Sequence, residues 1–169
     1  IGKPKGTITI QNNNPNTGTF DVIVSGVSNP AGGVKTVSVP IWSSVNGQDD
    51  IIWYTAARQS DGTYKVTVKA SNHKNSVGEY NIHLYYVQND GQLICVGGTK
   101  TNVSIAKPQG KITIANNNPE TGTFDVIVSE VSNPAGGVKT VSVPVWSSDG
   151  GQDDIIWYTA ARQADGTYK

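Results

Sequence analysis

The chain has 169 residues, 13 basic and 13 acidic side chains, and a formal net charge of zero. The absence of a basic excess argues against a nucleic-acid partner, and no run of about 18 apolar residues is present to span a membrane as a helix. A single cysteine, Cys95, excludes an internal disulfide and a zinc site built on cysteines.

No basic-then-apolar leader opens the chain. It starts at Ile1 and contains no Met, which reads as an interior piece of a longer protein with any export signal upstream. Gly, Ser, Thr, Asn and Val are abundant while Leu and Glu are scarce, a composition of strand and turn formers.

Seven strand-like runs are predicted in the first hundred residues. Thr7–Gln11 alternates and ends at the turn signal Asn12-Asn13-Asn14-Pro15. In Phe20–Ser28, Phe20, Val22 and Val24 alternate with Asp21 and Ser25, and Asn29-Pro30-Ala31-Gly32-Gly33 turns the chain again. Val34–Ser43 alternates Val37, Val39 and Ile41 against Thr36 and Ser38. Ile51–Gln59 follows, then the Ser60-Asp61-Gly62 turn and the alternating run Thr63–Ala70. Glu79–Val87 alternates Tyr80, Ile82 and Leu84 against Asn81, His83 and Tyr85. The last run, Gln92–Ile105, is interrupted by Gly97-Gly98, which predicts a bulge. This number and spacing of short strands predicts an immunoglobulin-like antiparallel β-sandwich, all-β, with Gly78-Glu79-Tyr80 placed as a tyrosine corner.

The pattern then repeats. Residues 110–169 match residues 6–65 at a constant offset of 104, with eight differing positions. A unit of roughly 100 residues is a compact domain, too long for a solenoid repeat. The chain therefore reads as residues 1–106, one complete repeat, and residues 107–169, the first strands of a second. Pro108 predicts a short, fairly stiff linker. The residues aligned with 66–104 are missing from the second copy. It is therefore expected not to close a core alone, and to be disordered or to take strands from another chain, with dimerisation as one outcome. Duplication suits avidity and equally lengthens a stalk.

The densest candidate cluster runs from Trp42 to Tyr54 and recurs as Trp146 to Tyr158. A turn near Asn46-Gly47 would set Trp42 and Trp53 about opposite each other on a hairpin. Trp42 shares parity with Thr36 and Ser38, which favours an outward indole. Trp53 reads as core, since an immunoglobulin-like core normally buries one Trp. Two outward indoles would form a flat platform for sugar C–H faces, with Gln48, Asp49, Asp50 and Arg58 as hydrogen-bonding groups. Adjacent strand residues face opposite ways, so Asp49-Asp50 does not read as a catalytic pair. Capping of the hairpin or calcium binding fits those carboxylates better, although calcium wants more oxygen ligands.

His83 lies on the polar side of its strand beside Tyr85, an exposed His–Tyr strip, and His73 sits in a loop. Cys95, in the apolar run Leu93-Ile94-Cys95-Val96, is expected to be buried and inert. Asn102-Val103-Ser104 matches a glycosylation triplet that arises often by chance. No nucleophile elbow, zinc-protease helix or phosphate loop occurs, and no catalytic residue, metal or cofactor is expected.

The run VPIWSSVNGQDDIIWYTAARQSDGTYKVTV followed by NHKNSVGEYNIHLYYV resembles the group B streptococcal Bsp-like repeat, over residues 6 to about 105 and the retained part of the second copy. That resemblance implies a tandem accessory module of streptococcal secreted and cell-wall proteins, many of them peptidoglycan hydrolases with a separate catalytic domain. It implies a targeting role on cell-wall polysaccharide or peptidoglycan, and a secreted or cell-wall location. The motif positions it covers are Trp42, Gln48, Asp49, Asp50, Trp53, Tyr54, His73, Tyr80 and His83. The ligand-binding set expected is Trp42, Gln48, Asp49, Asp50, Trp53, Tyr54, Arg58, His83 and Tyr85. A spacer between catalytic and anchoring domains, or a host-binding adhesin, is the alternative.

Overall fold

The structure is a computed structural model that describes residues 2–169. The chain divides into two compact units, Ile1–Ile105 and Ala106–Lys169.

The first unit has eight strands: β1 (Lys5–Asn14), β2 (Thr19–Ser28), β3 (Thr36–Ser43), β4 (Ile52–Thr55), β5 (Ala57–Arg58), β6 (Tyr64–Lys69), β7 (Gly78–Val87) and β8 (Leu93–Val103). They form two four-stranded antiparallel sheets, in the orders β1-β2-β6-β5 and β4-β3-β7-β8. Lettered in chain order, these are the A-B-E-D and C′-C-F-G sheets of an immunoglobulin-like sandwich.

The one element that sequence reading merges is Ile51–Gln59. It is two strands on opposite sheets, parted at Ala56, which is 5% exposed and donates its N–H to Val37 O at 2.9 Å. No Gly or Pro marks the crossing; a small side chain is all that the passage between layers needs.

Alternation builds the core. Phe20, Val22 and Val24 of β2, Val37, Val39 and Ile41 of β3, and Tyr80, Ile82, Leu84 and Tyr86 of β7 are all buried. Each such side chain contributes on the order of 1.5–3 kcal/mol by leaving water. Phe20 and Tyr80 meet edge to face, with ring centroids 5.9 Å apart. The Tyr80 hydroxyl donates to Ser76 O at 2.8 Å, the tyrosine corner expected at the start of this strand.

Two irregularities shape the sheets. β1 extends past the predicted Gln11 because Asn12 takes a left-handed φ of 52° and pairing resumes at Asn14 with Thr19. In β8 the register shifts between Leu84↔Gly97 and Tyr85↔Cys95, which leaves Val96 bulged beside the two glycines.

The second unit keeps β9 (Gln109–Asn118) paired with β10 (Thr123–Ser132), and β11 (Val141–Val145) paired with β12 (Ile156–Ala160). In the first unit, β6 and β7 supply much of the opposing core; in the second, among the described residues, only Tyr168, the counterpart of Tyr64 at the start of β6, pairs with β10 at Val128. Phe124 is therefore 47% exposed where its counterpart Phe20 is 1% exposed. A cavity of about 440 Å³ opens between β10 and the β11–β12 hairpin, lined by Phe124, Val126, Val143, Val145 and Tyr158.

Candidate functional site

The hairpin of β3 and β4 carries both indoles of the first unit. Its register pairs Pro40 with Trp53 and Ile41 with Ile52. Trp42 and Trp53 are thus offset by two residues from the directly opposed arrangement. A two-residue offset preserves the face, whereas a one-residue slip would reverse it. Both indoles lie on the outer face of the β4-β3-β7-β8 sheet. Trp53, expected in the core, is 51% exposed, and Trp42 is half-buried. The core position that an indole would fill is taken by smaller residues of β3 and by Tyr80 and Tyr86 of β7.

The neighbouring strand completes an aromatic strip. On β7, Asn81, His83 and Tyr85 alternate with buried Ile82, Leu84 and Tyr86. The Trp42 and His83 rings meet edge-on with centroids 4.7 Å apart. Those of Trp53 and Tyr85 are 5.3 Å apart, tilted by 53°. Trp53 and Tyr85 belong to strands separated by β3, about 10 Å apart at the usual strand spacing. Their rings therefore lean together over β3, whose outward residues there are the small Ser38 and Pro40. Pro40 faces outward by parity yet is buried, and β3–β7 pairing skips from Ser38↔Tyr85 to Ile41↔Ile82 where the proline has no N–H.

Glycine extends the strip sideways. A Cβ on Gly98 would stand 2.8 Å from His83 Cδ2, so only glycine lets the imidazole settle against β8 without displacement. Cys95, expected to be buried, is exposed and pairs with Tyr85. The bulge at Val96 sets the cysteine outward, a parity change that its apolar neighbours do not reveal. The Tyr85 phenol is pushed up from its ordinary value, chiefly by its electrostatic interaction with Cys95 beside it.

A polar border missed by sequence reading lies beside Trp42. Asn81, the cross-strand partner of Trp42, donates to Ser44 Oγ at 3.0 Å. Ser44 Oγ donates to Glu79 Oε1 at 3.1 Å, and Lys100 Nζ meets the same oxygen at 2.7 Å. The signal was present in the period-two pattern of β7, which puts Glu79 and Asn81 on the same face as His83 and Tyr85.

The carboxylates and the second histidine lie elsewhere. Asp50 is 6% exposed and accepts from Ser43 N–H at 3.0 Å and Ser43 Oγ–H at 2.6 Å, which makes it a cap of the hairpin loop. Within that loop Asn46 and Gly47 take φ of 54° and 73°, the left-handed region that Asn and Gly tolerate. Asp49 points out and pairs with Lys74 at 2.8 Å. Gln48 is exposed on the same loop, and Arg58 sits on β5 in the other sheet.

His73 is fully buried on a 3₁₀ turn, Ala70–His73. A carbonyl can only accept, so Nδ1–H donates to Asp50 O at 2.9 Å, and Nε2 accepts the Tyr54 hydroxyl proton at 2.8 Å. Burial holds the His73 imidazole below its ordinary pKa and outweighs the raising effect of the Asp50 carbonyl and charge. The Tyr80 phenol, 5.4 Å from the His73 ring by centroids, is pushed up to about 12 by burial and then by the Asp50 charge. Asp50, His73, Tyr54 and Tyr80 thus form a buried polar pillar that fastens the hairpin from behind. Of the nine expected ligand residues, the structure gathers Trp42, Trp53, His83 and Tyr85 on one face. It places Asp50 and Tyr54 in the pillar, and Gln48, Asp49 and Arg58 away from the strip.

Among the described residues no cluster of three or more His, Cys, Asp or Glu side chains is arranged to hold a metal ion.

The GBS Bsp-like repeat family model matches residues 9–101 and again residues 113–169. No curated protein matches the chain. Among solved structures, a polysaccharide deacetylase from Bacillus cereus is similar with a TM-score of 0.50 at 12% identity, over 63% of this chain and 31% of that one. A candidate polysaccharide deacetylase from Bacillus anthracis gives a TM-score of 0.49 at 12% identity, with the same coverage of both chains. The chain therefore spans about a third of the length of these structures, and at 12% identity the likeness to the Bacillus cereus structure is one of fold.

Proposed function

The chain belongs to the GBS Bsp-like repeat family, and from that premise we propose that it is a non-catalytic module that holds its parent protein on cell-wall glycan outside the cell. The observation that carries this reading is the outward strip of Trp53, Tyr85, Trp42 and His83 on one sheet. An exposed aromatic patch with polar groups at its margin is a common mark of an interaction surface. Pyranose rings present apolar C–H faces that stack on such rings, while their hydroxyls need donors and acceptors close by. Asn81, Ser44 and Glu79, at the border beside Trp42, offer these. The acid–base groups of the first unit that are most shielded from water, His73 and Asp50, hydrogen-bond to protein groups rather than facing the strip, an arrangement that suits binding and not turnover.

The second unit repeats the hairpin with Trp146 and Trp157, 45% and 67% exposed. A second weak site on one chain raises retention on an immobile polymer without new contacts in the first.

The test is sedimentation of the intact chain with purified streptococcal cell walls. Trp53→Ala with Tyr85→Ala is expected to lower retention about tenfold, the equivalent of about 1.4 kcal/mol. Unchanged retention in that double variant refutes the platform. The near-identical tandem arrangement with Pro108 between the copies supports a spacer as second reading, and no retention of the parent chain on any wall would favour it.

A further inference from the structure

We infer that the aromatic face of the first unit selects an uncharged glycan, a polymer of hexoses or N-acetylhexosamines, over polyanionic wall polymers built on phosphodiesters or uronic acids. This rests on the reading that the face docks on glycan. It follows from the distribution of charge around the strip. Along the outward positions of β3, β4, β7 and β8, the Asp, Glu, Lys and Arg side chains are limited to Glu79 and Lys100. These two meet at 2.7 Å, so the cation is already matched by a carboxylate. On the loops, Asp49 and Lys74 also neutralise each other at 2.8 Å, while Lys35, one residue before β3, and Asp90, in the β7–β8 turn, add one charge of each sign at the end of the sheet where Lys35 N–H donates to Val87 O.

A polyanion is held by unmatched Lys or Arg, through charge-assisted bonds and released counterions. The outward strand positions of this face have no such residue to give. They offer instead two indoles, a phenol, an imidazole and the amide of Asn81. These groups stack on a pyranose and hydrogen-bond to hydroxyl or acetamido groups without any change in charge. Lys100 also marks how the preference could be reversed. Removing its partner with Glu79→Gln would expose one unmatched ammonium beside Trp42.

The experiment sediments the intact chain with streptococcal walls, before and after acid removal of phosphodiester-linked polymers. Each is run from about 0.1 M to about 1 M salt, over which the screening length falls from about 10 Å to about 3 Å. Retention that survives on stripped walls and changes less than about twofold with salt supports the inference. Retention confined to untreated walls and abolished by salt overturns it while leaving the docking reading in place. No retention on either wall overturns both. In Glu79→Gln, a new salt-sensitive component on untreated walls is expected; an unchanged salt response there also counts against the inference.

Discussion

Two adjacent carboxylates in the first unit should differ sharply in what they contribute. Asp50→Ala removes the acceptor for the Ser43 backbone N–H and for Ser43 Oγ–H, and Ser43 is fully buried. Each of the two stranded buried donors costs about 1–3 kcal/mol, so the loss should be about 2–6 kcal/mol. For a domain of this size each kcal/mol lowers Tm by roughly 4–8 °C, which places the shift at about 8 °C or more. Asp49→Ala, one residue away, removes an exposed partner of Lys74 and should stay within about 0.5 kcal/mol. Urea unfolding and calorimetry of both variants in the intact chain check this, read on the transition of the first unit. A loss below about 1 kcal/mol for Asp50→Ala, or equal losses for the two, would refute the pillar.

Phe20→Ala should cost about 3–5 kcal/mol, the range for emptying a buried aromatic site, whereas Phe124→Ala, in the same local sequence but 47% exposed, should cost under about 1 kcal/mol; calorimetry of the paired variants compares them. Because burial depresses the His73 pKa in the folded unit, the unfolded chain takes up that proton first. Its stabilising contribution is present above about pH 6.5 and is lost as pH falls toward the lower folded value, by at most about 1.4 kcal/mol per pH unit. Denaturant titrations between about pH 7.5 and pH 5 should show this slope, and His73→Phe should remove it. Gly98→Ala should push His83 off its position against β8 and lower wall retention with little loss of stability, read by sedimentation beside a melting curve.

The alternation of Val, Ile, Phe and Tyr against polar residues located nearly every strand, because side chains on a strand alternate faces whatever the fold around them. The tyrosine corner at Tyr80 was legible for a related reason: its hydrogen bond reaches only to Ser76, four residues back. The errors fall where long-range register decides. Local pattern places Trp53 in the core, yet parity across the β3–β4 hairpin turns it outward. The apolar neighbours of Cys95 point to a buried thiol, yet a one-residue bulge against β7 turns it outward too. The passage of Ile52–Arg58 from one sheet to the other rests on Ala56, a residue with no distinctive local signal.

The sequence by itself determined the all-β class, the 104-residue repeat and the inward residues of each strand, since these follow from local periodicity and from comparing the chain with itself. Only the tertiary structure decided that Trp42, Trp53, His83 and Tyr85 share one surface, and that His73 and Asp50 lie buried behind it. Strand pairing joins residues more than forty positions apart, such as Ser38 with Tyr85, and no local pattern encodes which strands will become neighbours.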